Sequence, residues 1–422
     1  MCKKAAIIGY GKSGIGAEKI LQLRGYEQAH RYDDANPECT PIAEYKDRYD
    51  ITVVSPGIPL SKLPEKPSVY TSEIELSYSW MPMGSVALGV TGTNGKSTVT
   101  HFTEQILNGA GCKAVACGNI GYTFADAVTA SNEPRVFVVE LSSFQIELLR
   151  DFSMQGLAFI NITPDHLDRY AGMDDYANAK LAALDFVEPE GALIADHDVR
   201  IMNRALNKLY RVRYVDKEYK AWPRLDGNRM IFDRFYVDVR EFKLFGEHNL
   251  FNLVFALSLA DVASQMKGDV THLISDLTGM PHRAEIVPTR DGIRWINDSK
   301  ATNVDSTLVA LKSCHKPTIA LLGGRDKKGD FVRLVSELNR CATKVFLFGE
   351  AAQLIASQLK NKFERSIEAF STLRLAVEAA AMSAQNGSTV ILSPGCASFD
   401  EFLNYEDRGN KFVEYVKEVG NV

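Results

Sequence analysis

Short apolar and β-branched runs alternate with helical patterns along this chain, as in AAIIG before GAEKILQLRG and VALGV before KSTVTHFTEQILNGA. Each run is followed by a segment long enough to cross back over a sheet, so successive strands are expected to lie parallel with helices on the sheet faces. The fold class is α/β. At 422 residues the chain is longer than one hydrophobic core usually organises, so about two or three domains are expected.

Pattern-breaking Pro and Gly in SKLPEKP and SWMPMGS place a first boundary near Gly84, and LTGMP, ending at Pro281, places a second. The chain then reads as domains over 1–84, 85–279 and 280–422. Beyond the second break EIVPTRDGIRWIND is hairpin-like, and PTIALLGG, TKVFLFG and STVILSPG read as buried strands separated by helices. A third domain of nucleotide-binding type is implied.

Lys plus Arg number 48 against 53 Asp plus Glu, a net charge of -5, and no long basic run interrupts this mild acidity. Nucleic acid is therefore not an expected partner. Seven cysteines, odd in number and scattered without C-x-x-C pairs, fit reduced, mostly buried thiols better than a disulfide framework. The start, Met1-Cys2-Lys3-Lys4 and then AAIIGYG, has an apolar stretch too short for a signal segment or a membrane span. A cytoplasmic protein without membrane insertion is expected.

The run Val86 to Val90 ends in Thr91-Gly92-Thr93-Asn94-Gly95-Lys96-Ser97-Thr98, and an amphipathic helix follows through Asn108. Small residues at such a turn let backbone N–H groups close around phosphate oxygens, and the start of a helix favours anions. Lys96 adds a point charge at the transferred phosphate, and Ser97 is suited to magnesium. The spacing departs from G-x-x-x-x-G-K-[ST], because the residue five before Gly95 is Val90.

A second phosphate-type turn, Gly9-Tyr10-Gly11-Lys12-Ser13-Gly14, follows the first predicted strand, with Asp33 and Asp34 after the next. Alone, this G-x-G-x-x-G fingerprint with its acidic partner suggests a dinucleotide dehydrogenase.

Glu140 closes the run VFVVE, and a carboxylate at the carboxyl end of a strand faces the crevice where ligands of open α/β sheets bind. It can meet the metal on a nucleotide, or serve as an acidic residue at a helix start. The run LAFIN gives out into Thr163-Pro164-Asp165-His166-Leu167-Asp168-Arg169-Tyr170, a polar cluster expected at the same sheet edge. His166 alone would be an ordinary loop histidine. Further on, Gly246-Glu247-His248-Asn249-Leu250-Phe251-Asn252 opens a helix with two amides; an Asn can pair with an adenine edge, and helix capping by Asn249 is the competing reading. Arg283 follows the second break and Asp298 follows IRWI. An arginine from a separate domain can stabilise charge in phosphoryl transfer, and an aspartate suits a ribose hydroxyl.

GVTGTNGKST closely resembles the ATP loop of the Mur ligase superfamily, which also includes folylpolyglutamate synthetases, and the resemblance extends over most of the chain. It implies a Rossmann-like front domain holding the UDP part of a substrate, a central P-loop ATPase-like domain and a Rossmann-like C-terminal domain. Lys12, Ser13, Asp33, Ser55 and Gly57 match the UDP-contacting segments, Ser72 to Leu76 the floor of the same domain, and Asn119 of GNIG a further substrate contact. The TPDHLDRY-like segment supplies a histidine for a second magnesium, here His166, and a downstream lysine carries a carbamate, here Lys180 of DDYANAKLAAL. A carbamate is an anion two cations can use where an ammonium would be repelled, and it requires the neutral amine, rare at pH 7 for an ordinary lysine. From the residues alone, a solvated helix lysine is the competing reading of Lys180. The family pattern sets the adenine beside Asn252.

NDSKATN, LLGGRDKKGDF and SPGCASFDEFLNYEDRGNKF are similar to the D-glutamate-adding members of the superfamily. Thr302, Lys327, Ser398, Phe399 and Tyr405 match the positions that contact D-glutamate, with Lys327 facing its carboxylate; Tyr405 stands where a phenylalanine is expected. Without the resemblance, Lys327 reads as a solvated loop residue and Ser398 as a helix cap. The resemblance thus implies ATP, Mg2+ at two sites, UDP-N-acetylmuramoyl-L-alanine and D-glutamate as small-molecule partners, and a monomer. Its alternatives are a ligase adding a different amino acid, a nicotinamide oxidoreductase based on Gly9 to Gly14, and an ATP-binding module without turnover.

Overall fold

The computed structural model describes residues 3–165, 169–206, 208–289 and 292–420. They pack as two compact units, Met1–Phe242 with Phe251–Leu277, and Lys243–Leu250 with Thr278–Val422. The expected α/β class is observed: both large sheets are built mainly from parallel strands connected by helices.

In the first unit, a front sheet has Ala5–Ile8 between His30–Tyr32 and Ile51–Val54, with Tyr70–Thr71 at its edge, all parallel. The central sheet runs Arg211–Val215, Val187–Asp196, Met154–Phe159, Val86–Thr91, Val136–Glu140, Ala114–Gly118, again parallel throughout. Its first strand in sequence, Val86–Thr91, lies inside the sheet, so the chain winds outward in both directions from it. The carboxyl end of that strand is consequently the crevice position of a doubly wound sheet. A small sheet of Arg224–Asp226, Arg229–Ile231, Phe235–Asp238 and Gly268–Asp269 completes the unit.

Front and central sheets share one apolar cluster, in which Ile7, Ile20, Val53 and Ile74 join Phe124, Phe137 and Phe152. Gly16 lets the helix Lys12–Leu23 approach the helix Phe124–Thr129, since a Cβ there would sit 2.9 Å from Thr123 Oγ1 and 3.0 Å from Ala125 Cβ. Two buried carboxylates reinforce the contact. Glu73 accepts from the Ala125 N–H at 2.6 Å, and Glu75 Oε1 accepts from the N–H groups of Arg150 at 2.7 Å and Phe152 at 3.0 Å. In the segment Ser72 to Leu76, expected as part of the floor of the front domain, both acidic side chains are buried on backbone donors of the neighbouring elements.

In the second unit the sheet runs Glu285–Val287, Arg294–Asn297, Thr389–Gly395, Thr318–Gly323, Ala342–Phe348, Ser366–Phe370. Only Glu285–Val287 is antiparallel, which is the hairpin expected from the sequence. Thr318–Gly323 and Thr389–Gly395 are buried along their whole length, so the runs read as core strands are core strands. Four of the described cysteines are buried, Cys39 and Cys112 are half-buried, and all six are free thiols. Among the described residues, no helix is long and apolar enough to cross a membrane.

Candidate active site

Strand Val86–Thr91 hands over to helix Lys96–Gly109 through a turn that needs glycine twice, at Gly92 with φ 145° and Gly95 with φ 89°. The turn is held from outside. Asn161, just beyond strand Met154–Phe159, accepts from the N–H groups of Thr93 at 3.0 Å and Asn94 at 2.9 Å through Oδ1, and donates from Nδ2 to the Asn94 carbonyl at 3.0 Å. The Thr93 hydroxyl donates to the Thr163 carbonyl at 3.0 Å and lies 3.0 Å from the Tyr176 hydroxyl. Asn252 is buried against the last residue of the turn, where a Cβ on Gly95 would lie 2.6 Å from its Oδ1. Asn249 instead donates from Nδ2 to the Phe245 carbonyl at 2.7 Å. Ser97 and Thr98 are buried in the first turn of the helix.

Lys96 Nζ donates to the carbonyls of Gly92 at 3.0 Å and Thr93 at 2.9 Å. Lys180 Nζ donates to the same Gly92 carbonyl at 2.8 Å. Lys180 is only 2% exposed, in the last turn of helix Met173–Leu181, so it is no solvated helix lysine. Burial, with Lys96 adding repulsion, pulls its ammonium down to about 6 against the opposing pull of Asp165 and Glu140. A neutral amine at pH 7 follows.

Glu140 ends strand Val136–Glu140 at the same sheet edge and is 1% exposed. Its Oε1 accepts from Asn119 Nδ2 at 2.9 Å, while its buried Oε2 has no hydrogen-bond partner. A buried carboxylate oxygen left unpaired in this way suits a cation. No group of three or more His, Cys, Asp or Glu placed to hold a metal occurs among the described residues. His166 lies outside them. Loop, Asn119, Glu140, Lys180 and Asn252 are thus brought together at the carboxyl end of the central sheet.

At the front sheet, Ser55 Oγ donates to the Gly9 carbonyl at 2.5 Å, and Tyr10 N–H donates to Asp33 Oδ2 at 2.6 Å. Asp33 Oδ1 accepts from Ala35 N–H at 2.8 Å, so this carboxylate closes two backbone turns. Lys12 is exposed and Ser13 half-buried at the start of helix Lys12–Leu23. Arg169 Nη1 donates to the carbonyls of Pro56 at 3.1 Å and Gly57 at 3.3 Å, and its guanidinium lies 4.0 Å from the Phe144 ring centre. This ties the VVSPG turn to the chain just past His166.

In the second unit, Asp298 is buried, accepting from Ser393 Oγ at 2.8 Å and Ala284 N–H at 3.2 Å, and burial pushes its carboxyl up to about 7. Arg283 and Arg408 both act to lower it. Fully buried Arg408 donates to Ser299 Oγ at 3.0 Å and to the carbonyls of Ala397 at 3.2 Å, Ser299 at 2.9 Å and Cys396 at 3.1 Å. It binds NDSKATN to SPGCASF. Ser299 Oγ donates to the Tyr405 carbonyl at 2.8 Å, and Arg325 pairs with Ala397 through both backbone groups, at 2.8 and 3.0 Å. Around this frame stand Thr302, half-buried; Lys327, exposed; Ser398, buried; Phe399, 59% exposed; and Tyr405, half-buried.

Asn161, Tyr176 and Arg408 escape the sequence reading, and Arg169 enters it only as one member of a polar cluster. Asn161 carried one usable signal, an amide at the end of a strand next to the loop strand.

Residues 90–260 match the family model described as the Mur ligase middle domain, and residues 282–396 the one described as Mur ligase, glutamate ligase domain. A protein of Caldicellulosiruptor bescii named UDP-N-acetylmuramoylalanine–D-glutamate ligase is 32% identical over 455 aligned positions, covering 99% of this chain and 98% of its own. One of the same name from Bacteroides fragilis is 34% identical, covering 99% and 100%. Among solved structures, the MurF ligase of Thermotoga maritima in complex with ADP has a TM-score of 0.63 at 13% identity, over 100% of this chain and 96% of that one. The folylpolyglutamate synthase of Mycobacterium tuberculosis complexed with ADP has a TM-score of 0.59 at 14% identity, over 81% and 92%. These two likenesses concern the fold. With both domain matches and full-length relatives above 30% identity, the chain belongs to the Mur ligase family.

Proposed function

We propose that this chain is an ATP-dependent ligase that adds D-glutamate to UDP-N-acetylmuramoyl-L-alanine, a step of peptidoglycan precursor synthesis, in the cytoplasm and as a monomer. An oxygen of the alanyl carboxylate attacks the γ-phosphorus of ATP, and ADP departs with the electron pair of the broken P–O bond. The D-glutamate amine then attacks the carbonyl carbon of the acyl-phosphate, phosphate leaves, and the nitrogen loses its proton to give the amide. The observation that carries the proposal is the pair of lysines, Lys96 and Lys180, converging on the Gly92 carbonyl inside the phosphate turn.

In this reading residues 1–84 anchor the UDP end through Lys12, Ser13, Asp33, Ser55 and Gly57, with Asn119 beyond them. Anchoring a double-ended substrate away from the reacting carboxylate lowers the entropic cost of positioning it. Residues 85–279 hold the triphosphate on Gly92 to Thr98, with Asn252 beside the base. Residues 280–422 contribute Arg283 and Asp298 toward the nucleotide and Thr302, Lys327, Ser398, Phe399 and Tyr405 toward D-glutamate. Lys96 places positive charge where the γ-phosphoryl oxygens gather it.

The unpaired Oε2 of Glu140 supports a place for Mg2+. Ser97 and Glu140 would hold one ion, and His166 with a carbamate on Lys180 a second; there they would neutralise clustered phosphate oxygens. Lys180 supports the modification by being an amine that burial keeps neutral.

Phosphate release is to be measured with ATP, Mg2+, UDP-N-acetylmuramoyl-L-alanine and a panel of amino acids. Coupled product with D-glutamate, reduced about 10²- to 10³-fold in Lys96→Ala, is expected. Turnover with a folate instead, or ATP binding without ADP and amide, would overturn the proposal.

A further inference from the structure

On the far flank of the first unit, away from the phosphate turn, a cavity of about 240 Å³ is lined from three sides. Strand Arg211–Val215 pairs in parallel with Val187–Asp196, with Arg211 opposite Ala192 and Arg213 opposite Ile194, so these four share one sheet face. Helix Glu247–Ser264 and the residue after it supply Ser258, Asp261, Val262 and Gln265, and the turn between Arg229–Ile231 and Phe235–Asp238 closes over with Phe232 to Phe235 beside Trp222.

The charges in this cavity do not cancel. Arg213 donates to Asp233 Oδ2 from Nε at 3.0 Å and Nη2 at 2.7 Å, and Trp222 Nε1 donates to Asp233 Oδ1 at 3.1 Å. Arg234 Nη2 donates to both oxygens of Asp261, at 3.0 and 2.9 Å. Asp233 and Asp261 are thereby used. Arg211 lines the same cavity, is exposed, and takes part in none of the ion pairs found among the described residues. Alongside this one uncompensated guanidinium stand the rings of Trp222, Phe232 and Phe235, stacked or edge-on to one another, and the aliphatic Ala192, Ile194 and Val262.

We propose that this cavity is a binding site for a small aromatic carboxylate. One guanidinium left over matches one carboxylate, which it can grip with two parallel hydrogen bonds, and the Gln265 amide at the rim offers a further donor. Aromatic walls favour a flat ring over an aliphatic chain. The volume holds about one or two fused rings, below the range of drug-sized sites.

The test titrates 2-naphthoate into the full chain by calorimetry, with ATP and Mg2+ present so that the phosphate turn is not available. Saturable binding is expected, weakened at least tenfold in Arg211→Gln and in Trp222→Leu, and at least tenfold weaker for 2-naphthamide, which has the rings without the charge. Both variants are expected to keep wild-type ligase turnover, since neither residue is part of the reaction, and exposed Arg211→Gln to keep the melting temperature as well. No saturable binding, equal affinity for the amide, or affinity unchanged in Arg211→Gln would each overturn the proposal.

Discussion

Lys96 and Lys180 donate to one carbonyl oxygen, that of Gly92, at 3.0 and 2.8 Å. Burial draws the Lys180 ammonium down to about 6, and the nearby charge of Lys96 pushes it the same way. Carbon dioxide combines only with the neutral amine. Carbamylation is therefore expected to be available above about pH 6 and to fade as pH falls through that value. Enzyme freed of carbon dioxide is expected to lose activity about 10²-fold and regain it with bicarbonate. A carbamate signal from 13C-bicarbonate should appear in wild type and vanish in Lys180→Met; a signal surviving in that variant would locate the modification elsewhere.

Asn161 reaches the phosphate turn with three hydrogen bonds at 2.9 to 3.0 Å. Asn161→Ala removes them and lets Thr93 and Asn94 wander, so KM for ATP is expected to rise about tenfold, the equivalent of roughly one net hydrogen bond. Asn161→Asp keeps both acceptor bonds yet brings a negative charge toward the triphosphate. It is expected to bind ATP no better than the alanine variant while keeping more of the wild-type melting temperature. Steady-state kinetics with thermal melting separates the two.

The phosphate turn was legible because its strand, glycines, lysine and helix are contiguous, and their chemistry depends on local geometry. Asn161 was not, since it stands 67 residues from Asn94 and becomes a clamp only once Met154–Phe159 pairs with Val86–Thr91. Arg408 looks like a surface residue in YEDRGNKF, where charged neighbours surround it, but its helix turns it wholly inward. Asp33 is an intermediate case. Its position after the second strand points to a ligand, and the fold in addition sets both its oxygens on backbone N–H groups, a structural part that no local pattern announces.

Arg408 satisfies three carbonyls and one hydroxyl, with no ion pair to a carboxylate among the described residues, and burial lowers its guanidinium to about 10. Arg408→Met would fill the space and leave those acceptors unpaired. A loss of about 3 kcal/mol or more in urea denaturation is expected, since hydrogen bonds to charged groups contribute roughly 1.5–3 kcal/mol each. Arg408→Lys can replace only part of the fork and should fall between. KM for D-glutamate is expected to rise in both, because Ser398 follows directly on Ala397.

Glu73 gives the sharpest pH signature. Burial pushes its carboxyl up to about 7, although Ala125 N–H and Ser77 Oγ both favour the charged form. The folded chain therefore holds this proton up to about pH 7, whereas the unfolded chain releases it near 4.5. Between those values the native state binds more protons, so Glu73 makes stability fall as pH rises. Its favourable contribution is complete below about 4.5 and gone above about 7. In Glu73→Gln the amide oxygen can still accept from Ala125 N–H, and there is nothing to titrate. Asp298, also pushed up to about 7, remains in both proteins, so the wild-type curve alone does not isolate Glu73. The difference in unfolding free energy, wild type minus variant, is expected to decline steadily from pH 4.5 to 7 and to level off above. Urea denaturation across that range measures it, and a flat difference would show that Glu73 is already ionised at the bottom of the window.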